Sequence, residues 1–143
     1  MKVGFVPFAL AASAVCLAAA APLQSKVVHF TTGLNGASEV PPNATTGKGT
    51  LDADLDTATG AFTYSITYSG LTGPAVAAHF HGPADAGANA PPVIPIKEPA
   101  GPIKGSAVLT PGQMGDLQAG KWYFNLHTKE HPGGEVRGQL VGH

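Results

Sequence analysis

Cysteine is almost missing from this chain. Its one copy, Cys16, stands in an N-terminal apolar run, so the rest of the sequence has none. That excludes a thiolate metal site, a cysteine nucleophile and a disulfide framework from the remainder, whose core must carry stability alone in an oxidising compartment. Charge is sparse as well: eight Lys and Arg stand against nine Asp and Glu, with no basic stripe. This argues against nucleic acid and against an anionic membrane surface as partners. No Gly-x-Ser-x-Gly elbow is present, which removes the usual serine-hydrolase signature. Long hydrophobic runs are missing too. Phe5 to Leu17 is too short and too alanine-rich to be a membrane span. With Lys2 before it and Leu17-Ala18-Ala19-Ala20 after it, residues 1–20 read as a secretory signal peptide cut after Ala20. A lipoprotein anchor would want a small residue before Cys16, where Val15 stands. The expectation is a single domain over residues 21–143, secreted or periplasmic, without membrane contact after cleavage.

What the chain does have is alternation. Leu51, Ala53 and Leu55 oppose Asp52, Asp54 and Asp56; Phe62, Tyr64, Ile66 and Tyr68 oppose Thr63, Ser65, Thr67 and Ser69. Period two with one apolar face is the mark of a half-buried antiparallel strand. Thr57 to Gly60 suits a hairpin turn between these two, and the three aspartates are most simply a solvated face that discourages edge pairing. Further strands are predicted over Val27–Thr32, Pro74–His81, Lys104–Leu109, Lys121–Thr128 and Glu135–Val141. The Pro-, Ala- and Gly-rich stretch Pro83–Pro102 reads as a long irregular excursion with an edge strand at Val93–Ile96. One short helix is expected over Thr110–Ala119, capped by Thr110, with Pro111 in its first turn and Gly120 at its end. Seven or so short strands with Gly and Pro turns predict an all-β fold: one antiparallel Greek-key barrel or sandwich with long loops.

Four of the six histidines fall in two tight pairs, His79 with His81 and His127 with His131. If Val76, Ala78 and Phe80 point inward, together with Trp122, Phe124, Leu126, Val136 and Leu140, then His79, His81, His127 and Arg137 share the outer wall. His131 lies in the His-Pro-Gly-Gly turn, which can fold back over His127. Neutral imidazoles without thiolates or a carboxylate cluster suit copper, with zinc as the alternative, and suit calcium or magnesium poorly. Asn125 and Glu135 are candidates to orient an imidazole N–H. Arg137 can attract a small anion such as superoxide, or equally pack and pair with Glu135 or a loop carbonyl. The lone His29 and His143 read as ordinary part-exposed side chains, and Asn43-Ala44-Thr45 fits a glycosylation acceptor.

Three motifs in order carry a resemblance: Leu34-Asn-Gly-Ala-Ser-Glu-Val-Pro-Pro42, His79-Phe-His-Gly-Pro-Ala84 and Asn125-Leu-His-Thr-Lys-Glu-His-Pro-Gly-Gly-Glu-Val-Arg-Gly-Gln-Leu140. Together they span about residues 27–141 and resemble the CHRD family, the domain named after repeats in chordin and found also in secreted bacterial proteins. The resemblance implies an extracytoplasmic domain and little about activity. His79-Phe80-His81 also resembles the His-x-His strand of copper/zinc superoxide dismutases, Greek-key barrels with copper on the outer wall beside a later histidine and a C-terminal arginine. His127 and Arg137 match those places. The zinc-holding cluster and the disulfide of those enzymes have no counterpart here, so the likeness implies at most a copper-only site. The function expected is therefore a copper-binding, superoxide dismutase-like protein with metal ligands His79, His81, His127 and His131 and Arg137 as the catalytic cation. The alternatives are a non-catalytic extracellular binding module and a copper or zinc storage or delivery protein.

Overall fold

The computed structural model describes Met1 and residues 24–143, so the expected signal peptide falls almost wholly outside the described residues. Among the described residues there are eight strands: β1 (Val27–Asn35), β2 (Lys48–Asp56), β3 (Ala61–Ser69), β4 (Ala75–His81), β5 (Pro92–Pro95), β6 (Ile103–Val108), β7 (Tyr123–Thr128) and β8 (Val136–Gln139). They form one antiparallel sheet in the order β5-β4-β7-β8-β1-β2-β3-β6, curled into a nearly closed barrel. Strand β6 returns beside β3 and β7 pairs with β4, which are Greek-key returns. Helix α1 (Pro111–Gln118) is as short as its sequence predicts. Thr110 accepts from Gln113 N and the Gln113 side chain accepts from Thr110 N, a complete capping box.

Alternation produces the core. Leu51, Ala53 and Leu55 are buried from β2 and Phe62 and Ile66 from β3, with Tyr64 and Tyr68 packed against them. Phe80 of β4 meets Phe124 of β7 with ring centroids 4.9 Å apart, and Trp122 closes on Phe62 edge-to-face. Such aromatic pairs bury large areas and fix register between the strands that carry them. The hairpin after β2 is held by Asp56, whose Oδ1 accepts from Ala58 N and Thr59 N.

One sequence expectation needs correction. Val76 is 60% exposed rather than inward, because the β4–β7 register shifts between Ala75 and Ala77 and reverses the parity at that end of the strand. Beyond the bulge the expected parity returns, with Ala78 and Phe80 fully buried. Asn43 is engaged within the fold. Its Nδ2, the atom a glycan would occupy, donates to Glu135 O at 3.0 Å, while its Oδ1 accepts from Thr45 N.

Candidate metal centre

The register between β4 and β7 decides which histidines meet. His79 faces Asn125, His81 faces Tyr123 and Ala77 faces His127. All these side chains stand on the outer wall, so His127 lies diagonally across from His79. Their rings close to 3.1 Å between His79 Nδ1 and His127 Nε2. One ring nitrogen from each of His79, His81 and His127 lies within 4.8 Å of the other two, the only such group among the described residues. His79 and His127 are part-exposed, while His81 is buried at 8% exposure.

Backbone carbonyls set the tautomers. His81 Nδ1 lies 2.8 Å from Ala90 O and His127 Nδ1 lies 2.9 Å from Pro132 O, so each of these nitrogens carries the hydrogen and donates. The Nε2 atoms are left as lone pairs, and that of His81 is buried with no partner. Fixing one ring nitrogen so that the other faces an ion is the usual outer support of a metal-binding imidazole. Burial, then the neighbouring His127 and His81 rings, lower the pKa of His79. Burial likewise lowers that of His81, against the raising effect of the Ala90 carbonyl. Both shifts favour the neutral ring, which keeps one lone pair, and in His79 it is Nδ1 that carries the hydrogen shared with His127 Nε2.

A roof lies over half of this wall. The chain leaves β4 at Gly82, which packs so closely on the Trp122 ring that any Cβ would collide with it. Residues 83–91 then cross the outer face. Arg137 sits on the wall as parity requires, but at 1% exposure. Its Nη1 donates to Asn89 Oδ1 and its Nη2 to Ala88 O at 2.6 Å, so the loop-carbonyl role is the one realised. The guanidinium also lies 3.4 Å from the centroid of Tyr123. Tyr123 stacks on His81 at 4.7 Å with nearly parallel rings. Because β7 runs between β4 and β8, the three side chains form a layered stack: imidazole, phenol, guanidinium. Gln139 adds bonds to Ala84 O and Gly120 O.

Two buried carboxyls flank the site. Glu135 does not orient an imidazole. Its Oε1 accepts from Thr45 Oγ1 and Thr72 N, and its Oε2 from Thr72 Oγ1 and Thr128 Oγ1. Burial alone would raise its pKa, but these donors bring it down to about 2. Glu39, for which the sequence reading had no role, is 4% exposed and its Oε1 has no hydrogen-bond partner. Burial pushes its carboxyl up to about 7, although Asn125 and Arg137 pull the other way. The available signal was its position as the sole charge in the Leu34–Pro42 motif. His131 is not brought into the histidine group. Its backbone shapes the turn instead, with its carbonyl accepting from Thr128 N and Gly134 N. His29 pairs with Asp54 at 2.5 Å on the opposite side of the sheet order.

No helix among the described residues is long and apolar enough to cross a membrane. No curated protein and no solved structure matches the chain. The family model for the CHRD domain matches residues 30–140, nearly the whole of the described fold. This chain belongs to the CHRD domain family.

Proposed function

We propose that the domain is a secreted or periplasmic copper-binding protein whose ligands are His79 Nδ1, His81 Nε2 and His127 Nε2, with zinc as the alternative ion. One observation carries the reading: one ring nitrogen from each of the three histidines lies within 4.8 Å of the other two, with two tautomers already fixed by carbonyls. The 3.1 Å contact is a hydrogen bond from His79 Nδ1–H to His127 Nε2 in the free protein; ion binding would replace it, with the His79 hydrogen moving to its part-exposed ring's Nε2. Three imidazoles without a fourth protein ligand leave a coordination position open, and the part-exposed rings of His79 and His127 put it toward solvent. Copper there would supply one-electron exchange with a small anion such as superoxide. Tyr123 and the roof keep water from the His81 side, and the carbonyls of Ala90 and Pro132 hold the two rings in place.

A second reading, copper or zinc storage or delivery without turnover, is favoured by one observation. Arg137 is sealed behind Tyr123 with both Nη atoms bonded to the roof, so it reaches no anion at the open face. In either reading its part is to hold the roof. Metal analysis and electron paramagnetic resonance of the copper-loaded protein test the binding. One copper per chain is expected, with nitrogen hyperfine structure from imidazoles. His79→Ala or His127→Ala should lose more affinity than the ~10–100-fold cost of outer-support changes. A chain that binds no more copper than these variants would sink the reading. Superoxide decay then separates the two uses: a rate above that of free copper supports turnover, and a rate no higher supports storage or delivery.

A further inference from the structure

The motif Leu34–Pro42 has so far no part in the site, yet its one charged residue is driven into the same wall. Glu39 follows the short 3-10 turn Gly36–Ser38, which Asn35 caps by accepting from Ser38 N. From there its carboxyl reaches the space beside Gly134. A Cβ on Gly134 would strike both Glu39 Oε1 and Asn125 Nδ2, and that glycine also holds φ +128°, so it is the residue that lets the two side chains meet. Asn125 is bounded by the histidines. It faces His79 across the β4–β7 ladder, stands two residues from His127 on the same face, and is the diagonal neighbour of His81, which faces Tyr123. Asn125 Oδ1 and His81 Nε2 are both buried without a hydrogen-bond partner.

We propose that Glu39 is a positioning residue of the histidine centre, acting through Asn125 on His81. Once ionised, a carboxylate at this place can only accept, and so would draw the Nδ2 end of the Asn125 amide toward itself. The Oδ1 end is then left toward His81, where it has no hydrogen to give to the Nε2 lone pair. The reversed amide would donate an N–H to that lone pair and occupy the atom that must face an ion. Glu39 thus keeps His81 Nε2 free by fixing the direction of one amide. That His81 Nε2 is a ligand atom rests on the copper reading above; that Glu39 sets the Asn125 amide does not.

The isosteric variant Glu39→Gln tests this, because a Gln amide can offer either end to Asn125 and releases the constraint. In the metal-free protein above pH 7, where Glu39 is ionised, long-range ¹H–¹⁵N correlation of the imidazoles reports the state of each ring. Glu39→Gln should displace the His81 Nε2 shift and leave that of His29 in place. On copper loading, its affinity should fall about tenfold, with changed copper hyperfine values. In an Asn125→Ala background the same substitution should change neither, since the intermediary is gone. Unchanged His81 shifts in Glu39→Gln, or an undiminished effect without Asn125, overturns the proposal. Displaced His81 shifts in a protein that binds no copper would uphold the positioning role and remove the copper reading instead.

Discussion

Glu135 and Glu39 are both buried carboxyls on the outer wall, and their surroundings are opposite. Glu135 receives four donors and ties the β1–β2 loop (Thr45), the β3–β4 loop (Thr72) and the end of β7 (Thr128) to the start of β8. Glu39 is equally enclosed, yet one of its oxygens has no partner. The first arrangement recovers the desolvation cost of the charge and the second does not, which is why the two pKa values separate to about 2 and about 7. A carboxyl with every acceptor site answered is a structural clasp. One left with an unanswered oxygen costs stability when it is ionised.

The largest effect belongs to the clasp. Glu135→Ala leaves the donors of buried Thr128, half-buried Thr45 and exposed Thr72 without their shared acceptor and should destabilise the fold by about 3–5 kcal/mol, read from urea unfolding. The folded pKa of Glu135 lies below its ordinary 4.5, so its contribution is complete above that pH and is lost as pH falls through about 2. The acid limb of the wild-type stability profile should therefore flatten in the variant. A loss under 1 kcal/mol would show that the threonines find other partners.

Glu39 should do the reverse. Its folded pKa of about 7 lies above the ordinary 4.5, so the fold binds a proton that the unfolded chain has released. Wild-type stability then declines as pH rises from about 4.5 to 7, by up to roughly 3 kcal/mol. Glu39→Gln should lack that decline and be the more stable protein at pH 8 by about 1–3 kcal/mol. His79 and His81 contribute in the opposite sense, since their folded pKa values are lowered: their share is full above pH 6.5 and lost on acidification. Both rings are neutral at pH 8, so the comparison made there isolates Glu39. A Gln variant less stable than wild type at pH 8 would make Glu39 a clasp like Glu135.

Much of this could be read from residue order. Alternation placed the strands, the aromatic core and the wall shared by His79, His81, His127 and Arg137, because a pleated strand sends successive side chains to opposite faces. Parity gives the face but not what lies over it. Whether residues 83–91 turn away from the wall or cross it depends on carbonyls meeting Arg137 and His81 from far along the chain. The bulge at Ala75–Ala77 was invisible for the same reason, since it arises from pairing with β7. Glu39 was the clearest omission: a lone acidic residue in a turn reads as solvated until the approach of Asn125 and Gly134 is known.

Within the clasp, Thr45→Ala removes one of its four donors and also the bond from Gly47 N to Thr45 Oγ1. A cost of about 1–2 kcal/mol is expected, with copper affinity unchanged, since no part of Thr45 reaches the histidines.

The smallest effect should be that of His131→Ala. The backbone of His131 accepts from Thr128 N and Gly134 N and donates to Thr128 Oγ1, and these bonds survive the substitution. The turn therefore keeps its shape, Pro132 O stays on His127 Nδ1, and Thr128 stays on Glu135. Its imidazole is outside the convergent group. Stability should move by no more than about 0.5 kcal/mol, the ordinary range for a substitution with no buried partner, and copper affinity should stay within about twofold. A tenfold loss, about 1.4 kcal/mol of binding, would bring a fourth imidazole to the ion. The site would then be closed rather than open, which favours storage over turnover.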